Sequence, residues 1–432
     1  MYSRINNLAE SLQKKLIKYR RDFHKYAETG WTEFRTASIV AQKLDELGYE
    51  IKLGREVIKE NARMGVPSPE VLTGHYERAK AQGAKAKYLD KLQGGFTGVV
   101  ALLKNGEGPT LAFRFDMDAV EMEESSSKDH LPVKEGFASV NDNAMHACGH
   151  DGHTAIGLGL AELLMEIKEE FKGTVKLIFQ PAEEGVRGAR SMMEAGVVDD
   201  VDYLTGLHLG LGNGSGELYP GTKGFLATSK FDACFKGKPS HAGAQPESGK
   251  NSLQAATVAV NQLYGISRHS QGVTRINVGR MEAGTGRNVI PDRAKLVIET
   301  RGTTSELNDY MYNRAVDILT NSAEMYGNEL KINEMGRAES GKSDVRLAER
   351  IIKCARKTGE FDKIYDQSAE MGGSEDFTYF MKEVQRQGGL ATFMILGTEL
   401  AGSHHTADFN FKEKDLIKGV KILGSIVVDI LK

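Results

Sequence analysis

Partway along this chain the order of hydrophobic patterning changes and then changes back, and few folds accommodate such a reversal. Between residues 97 and 207, short apolar runs at 97–103, 110–115, 174–179 and 203–207 read as buried strands. They are interleaved with helical patterns at 153–171 and 188–195. Alternation of this kind predicts an α/β layer, a mixed and mostly parallel sheet flanked by helices. From 222 to 335 the order is instead strand (228–235), helix (250–266), two strands (275–281 and 295–301), helix (305–326) and strand (329–333). That β-α-β-β-α-β succession is the ferredoxin-like order of an α+β domain. A helix at 344–358 and a strand at 391–397 then restore the first pattern. The expectation is a larger domain built from 1–221 and 336–432, with a smaller one, 222–335, inserted into it.

The length of 432 residues also favours two cores over one. Leu8, Leu12, Leu16, Tyr19, Phe23 and Tyr26 recur at helical spacing, and a second helix is expected over about 33–47, ended by Gly48. Residues 55–93, rich in Lys, Glu and Ala around Pro67-Ser68-Pro69, read as an exposed helical insertion, either a solvated excursion or an element over an active site. A net charge of −3 with 27% charged residues supplies no electrostatic reason to bind nucleic acid or a membrane surface. The three cysteines, Cys148, Cys234 and Cys354, are odd in number and far apart, so a disulfide framework is not expected and a reducing compartment is. Cys234 and Cys354 lie in apolar patterns and are expected to be buried. The chain opens with a charged amphipathic segment, and no apolar run of about 18 residues follows. A soluble cytoplasmic protein is the expectation.

The densest chemistry is His146, Cys148, His150, Asp151 and His153, five candidate ligands within eight residues at a loop entering a helix. Imidazole and thiolate suit zinc-like transition metals, and Cys148 and His150, one residue apart, can face one ion from an irregular loop. Gln180-Pro181-Ala182-Glu183-Glu184-Gly185 follows a buried strand. Adjacent carboxylates there point in different directions, so one can bind metal while the other acts as general base. His208 ends the next strand, and His404-His405 lies in the small-residue loop 402–406. Each element alone has a plainer reading: a satisfied polar cluster, a solvated loop, a core histidine. Together with Asp116 and Asp118 they all fall at strand ends, where open α/β sheets bind ligands. Cys148, His150, Glu184, His208 and one of His404 and His405 make five ligands, better shared between two divalent ions with a bridging group and water than crowded on one. Such a pair activates water and stabilises the oxyanion of a scissile carbonyl. Glu183 would take the water's proton and pass it to the leaving nitrogen.

These residues resemble the M20 metallopeptidase family, in its amidohydrolase branch with the hippurate and auxin-conjugate hydrolases. The likeness spans nearly the whole chain: Arg20-Arg21-Asp22-Phe23-His24 with Glu28 and Glu33, the segment 114–119, MHACGHDGH, QPAEEG and the late histidine. LGREV at 53–57, GGFTG at 94–98 and AGVVDDVDY at 195–203 narrow it further. The resemblance implies a catalytic α/β domain carrying two metals and an inserted lid that mediates dimerisation. It implies Cys148, His150, Glu184, His208 and His405 as ligands, His405 being favoured over His404 by the Thr406 and Asp408-Phe409 that follow it. Glu183 would be the general base. Other branches carry a His-x-Asp pair where this chain has Asp116-Met117-Asp118, so one ligand is lost and Cys148 takes a bridging role. In the lid, His241 is implied to stabilise the oxyanion, and Asn288 and Arg301 to hold the substrate carboxylate. The thiolate favours zinc, and glutamate-rich hydrolases of this type favour manganese. The implied substrate is a small N-acyl or N-aroyl amino acid, p-aminobenzoyl-glutamate in particular. A broader aminoacylase or dipeptidase is the alternative, and a non-catalytic metal-binding partner is the third reading, which the intact Glu183 opposes. The partner is either a second copy, joined through the lid, or a related second chain.

Overall fold

Strands covered on both faces need apolar side chains throughout, and four such strands form the centre of the larger sheet. In the computed structural model, which describes all 432 residues, its eight strands run in the order Glu50–Leu53, Val99–Asn105, Gly173–Gln180, Thr110–Asp116, Tyr203–Leu209, Leu390–Leu396, Glu217–Tyr219 and Lys363–Ile364. The third to sixth are mutually parallel. Val99–Asn105 joins them antiparallel on one side and Glu217–Tyr219 on the other. The sheet is therefore mixed and mostly parallel, as the alternation predicts. Its register aligns the strand ends that matter: Asp116 lies opposite Gln180, and His208 opposite Ile395.

The helices Tyr2–Lys25, His150–Glu166 and Leu416–Ile430 pack against one another beside this sheet. His150–Glu166 presses hard on the sheet and on Tyr2–Lys25. A Cβ on Gly157 would stand 2.7 Å from Phe115 and 2.8 Å from Phe179, and one on Gly159 would stand 2.4 Å from Leu16. The sequence predicts this helix from 153, and it begins at His150 instead. Gly149 supplies the reason: at φ +94° it turns the chain through a left-handed conformation directly into the first helical turn. His150 is thus a helical residue, not part of an irregular loop.

The chain divides into two units. Met1–Lys223, Lys342–Glu370 and Asp376–Lys432 make the first, and Gly224–Gly341 with Met371–Glu375 the second. The second contains a four-stranded antiparallel sheet ordered Glu329–Ala338, Ala227–Lys236, Arg293–Gly302 and Thr274–Ala283. In chain order this is 4-1-3-2, the ferredoxin-like arrangement. Helices Ser252–Tyr264 and Ser305–Met325, capped by the Asn251 and Thr304 side chains, cover it with a core of Phe231, Phe235, Leu263, Leu296, Met311 and Leu319. The segment ends meet: Phe225 pairs with Gly341, and the Ser343 amide donates to the Thr222 carbonyl at 2.8 Å.

Two expectations are corrected. Residues 55–93 hold a helix, Pro69–Ala81, but are not a solvated excursion: Val57, Ile58, Met64, Leu72 and Leu92 are buried, and Trp31 Nε1 donates to the Met64 carbonyl at 2.8 Å. Their apolar residues are spaced irregularly among charges, so no period exposes the buried side. Cys234 is half-buried, on the strand Ala227–Lys236, whereas Cys354 is buried as expected; all three thiols are free. No helix is long and apolar enough to cross a membrane.

Candidate active site

The strand ends and the start of the helix His150–Glu166 bring the predicted ligands together. The ligand atoms of Cys148, His150 and His208 lie within 4.8 Å of one another, and so do those of Cys148, Glu184 and His405. Cys148 belongs to both triads. His150, Glu183 and Glu184 form a third group within the same limit, with the His150 Nε2 to Glu183 Oε2 separation 4.0 Å. Cys148 Sγ is 3.4 Å from His208 Nε2, and His405 Nε2 is 3.3 Å from Glu184 Oε1. His405 is exposed and has φ +61°, an uncommon backbone state for a residue with a side chain, and its amide donates to the Ala147 carbonyl. His404 turns inward instead: Nε2 donates to the Leu209 carbonyl at 3.1 Å, and its ring lies 5.3 Å from that of His208.

Hydrogen bonds fix the tautomers. His150 Nδ1 lies 2.9 Å from the Asp118 carbonyl, and His208 Nδ1 lies 2.9 Å from the Leu209 carbonyl. A carbonyl only accepts, so Nδ1 carries the proton in each ring and Nε2 presents a lone pair to the cluster. His150 Nε2 is buried with no hydrogen-bond partner. A buried orphan nitrogen beside a thiol, a second imidazole lone pair and carboxylates is a donor set that fits a divalent cation. Without a cation the electrostatics favour a free lone pair at His208 and protonated Cys148 and His150, so a bound cation would displace those protons. Burial, then the Glu184 carboxylate, pushes the Cys148 thiol up to about 12. Burial works against charging His150, yet Asp116 and Cys148 draw it well above its ordinary value. Burial and the neighbouring imidazoles of His153 and His404 hold His208 well below its own.

A ring of buried carboxylates holds these groups in place. Asp118 accepts the amides of Glu183 at 2.9 Å and Glu184 at 2.8 Å. Glu33 accepts the Ala182 amide at 2.8 Å and the Thr97 hydroxyl at 2.6 Å, and burial, with Asp118 nearby, pushes its carboxyl up to about 8. The turn needs this support because Ala182 sits at φ +53°. Arg187 Nε donates to the Glu184 carbonyl at 2.8 Å. On the other side, the Leu209 amide donates to His153 Nε2 at 3.0 Å, and His153 Nδ1 donates to Asp116 at 2.5 Å. Arg114 binds Asp116 and Gln180. Asp116, where other branches have a ligand, thus braces the strand end that carries His208, though it remains 3.8 Å from His150 Nε2.

Sequence pattern assigns no role to a further set. Arg20 Nε donates to Asp151 at 2.8 Å, and His24 donates from both ring nitrogens, to Asp151 at 2.8 Å and to Glu124 at 2.9 Å. Burial and Arg20 oppose protonation of His24, and the hydrogen bonds to Asp151 and Glu124 outweigh them. A signal existed: Arg20 and His24 share the buried face of Tyr2–Lys25 with Leu16 and Phe23. His146, in the motif but in neither triad, is buried with both ring nitrogens unpartnered, and burial lowers it to about 3.

The remaining predicted residues belong to the second unit. His241 Nδ1 accepts the amides of Gly243 at 3.2 Å and Ala244 at 3.0 Å, which leaves the proton on an exposed Nε2. The Ala242 amide donates to the Asn288 carbonyl, so the structure brings His241 and Asn288 together. Arg301 lies on the strand Arg293–Gly302 and donates to Glu299 at 2.9 Å.

Residues 112–429 match Peptidase family M20/M25/M40, and the chain belongs to that family of hydrolases. It is a metal-dependent amidohydrolase that uses divalent metal and a small-molecule substrate. It is 47% identical to indole-3-acetyl-aspartic acid hydrolase of Enterobacter agglomerans, over 97% of each chain. It is also 47% identical to one of the subunits of p-aminobenzoyl-glutamate hydrolase of Escherichia coli, again over 97% of each. Among solved structures it resembles the aminobenzoyl-glutamate utilization protein of Klebsiella pneumoniae, with a TM-score of 0.85, 41% identity and 98% of each chain covered. A Bacillus subtilis protein described as a dinuclear metal binding peptidase matches with a TM-score of 0.66 and 26% identity, over 98% of this chain and 99% of the other.

Proposed function

We propose that this chain hydrolyses the amide bond joining an aromatic acyl group to an acidic amino acid, with p-aminobenzoyl-glutamate as substrate. The observation that carries this reading is the pair of ligand triads sharing the Cys148 thiol, with Glu183 beside His150. The names of the two relatives support the substrate class, since each joins an aromatic acyl group to a dicarboxylic amino acid.

In this reading Cys148, His150, Glu184, His208 and His405 would hold two divalent ions, manganese or zinc, with Cys148 within reach of both. When bound, the ions polarise the scissile carbonyl and acidify the attacking water. Glu183 accepts the proton as the water oxygen bonds to the acyl carbon. His241 donates its Nε2 proton in a hydrogen bond to the oxyanion. Glu183 then returns the proton to the nitrogen as the C–N bond breaks, releasing a carboxylate and an amine. Asn288 and Arg301 hold the carboxylate of the amino-acid half, a role that suits the flat two-pronged guanidinium.

The inserted unit, residues 222–335 by sequence pattern, acts as a lid and joins two copies through the exposed strand Thr274–Ala283, an open sheet edge. That the Escherichia coli relative is named as one of an enzyme's subunits supports a related second chain as the other candidate partner. Three free thiols fit a cytoplasmic setting. The deciding experiment is metal analysis of protein purified without chelators, followed by assays with manganese and with zinc on p-aminobenzoyl-glutamate, indole-3-acetyl-aspartate, hippurate and a dipeptide. Release of 4-aminobenzoate fastest among the four products supports the proposal. No release with either metal rejects this substrate, and equal rates on all four favour a broad aminoacylase. Light scattering with and without candidate partners gives the stoichiometry.

A further inference from the structure

The segment 55–93, with Gly94 and Phe96, lines a half-open cavity of about 500 Å³ whose walls include Arg55, Arg63, Pro67, Leu72 and Tyr76. None of its lining residues belongs to the metal triads. Arg63 is the unusual member. Its side chain is only 9% exposed, yet of its five N–H groups one donates to a protein oxygen within hydrogen-bond distance, the Gly94 carbonyl at 2.7 Å. Its guanidinium carbon lies 3.8 Å from the centre of the Phe96 ring, but its Nε is buried without a hydrogen-bond partner, and the nearest carboxylate, Glu60, is 3.9 Å away. Burial pulls the Arg63 guanidinium below its ordinary value. A buried guanidinium with one short hydrogen bond is costly unless an anion completes its remaining N–H groups.

We propose that this cavity binds a small aromatic monocarboxylate, its carboxylate on the Arg63 guanidinium and its ring among Pro67, Leu72 and Tyr76. One negative charge is the right number. Of the two lining carboxylates, Glu60 pairs with Arg55 at 2.5 Å and the exposed Glu77 lies 3.9 Å from Lys80, which leaves Arg63 as the cation to be satisfied. The Pro67, Leu72 and Tyr76 part of the wall favours a ring over a hydrated anion such as phosphate, and the volume falls in the usual range for a small-molecule site.

The molecule carries its own reporter. Trp31 is the single tryptophan, fully buried, and bonded to Met64; the Arg63 guanidinium carbon lies 5.7 Å from its ring centre. Titrating the metal-loaded enzyme with benzoate, with selective excitation of tryptophan, should give a saturable change in emission. Benzylamine, the same ring with a cation, should give none. Arg63→Met should weaken benzoate binding at least about 10-fold, the loss of one charge-assisted hydrogen-bonded contact. Thr73→Tyr, at an exposed wall position, should block the cavity while preserving the circular dichroism spectrum, so the test stands even where Arg63→Met does not fold. The proposal is overturned by any one of three results: no saturation with benzoate, equal binding of benzylamine, or wild-type benzoate affinity in Thr73→Tyr.

Discussion

The groups around the metal triads and those on the second unit's loops are held in opposite ways. Asp116, Asp118 and Asp151 are buried, and each accepts hydrogen bonds from at least two groups, arginine, histidine or backbone amide. His241 is exposed and is steadied only by two amides of its own turn. Burying charge costs several kcal/mol per ion unless it is fully partnered, so the first region has to be built as a closed network. The teaching is that ligands for a cation are placed before the cation arrives, whereas a group meant to meet a substrate can remain solvated until it does.

Five substitutions probe that contrast. Cys148→Ala removes the one atom common to both triads, so hydrolysis should fall to background and bound metal, measured by elemental analysis, should drop with it. Glu183→Gln should lower kcat by about 10²–10⁴-fold with metal content unchanged; a wild-type rate would instead remove Glu183 as the general base. His241→Ala should reduce kcat by about 10²–10³-fold while metal content and unfolding midpoint stay at wild-type values. A fall in bound metal would mean that His241 belongs with the ligands. Arg20→Met leaves Asp151 and His24 short of a partner in a fully buried pair and should cost about 3–5 kcal/mol in urea unfolding. The matching change in the second unit, Lys236→Met, breaks an exposed pair with Glu329 and should cost less than about 1 kcal/mol. Similar losses for these last two would erase the distinction between the regions.

Much of this architecture is legible from pattern. The apolar runs that become Thr110–Asp116, Gly173–Gln180 and Tyr203–Leu209 announce the parallel centre of the sheet, and β-α-β-β-α-β announces the 4-1-3-2 sheet. The cluster is legible because Cys148, His150, Glu184 and His208 stand at element ends, where chemistry-bearing residues are conspicuous. What supports them is not. Arg20, Arg114 and Asp116 are charged, and pattern reading assigns charge to the surface; their burial depends on partners remote in sequence, such as Asp151 for Arg20 and Gln180 for Arg114. The early start of the helix at His150 rests on one glycine dihedral that no hydrophobic period records. Residues 55–93 escaped for the same reason, since their burial follows from Trp31 and irregularly spaced apolar groups.

The pairing of Phe225 with Gly341, and of Thr222 with Ser343, has an evolutionary reading. A segment whose two ends emerge side by side behaves as a cassette. Its gain or loss asks the host only to reseal Lys223 to Lys342 by a short turn, with no strand of the larger sheet displaced. One later stretch, Met371–Glu375, groups with the segment, and its Gly373 carbonyl accepts the Leu226 amide. Variation confined to such a segment can therefore leave the strand order of the larger sheet undisturbed.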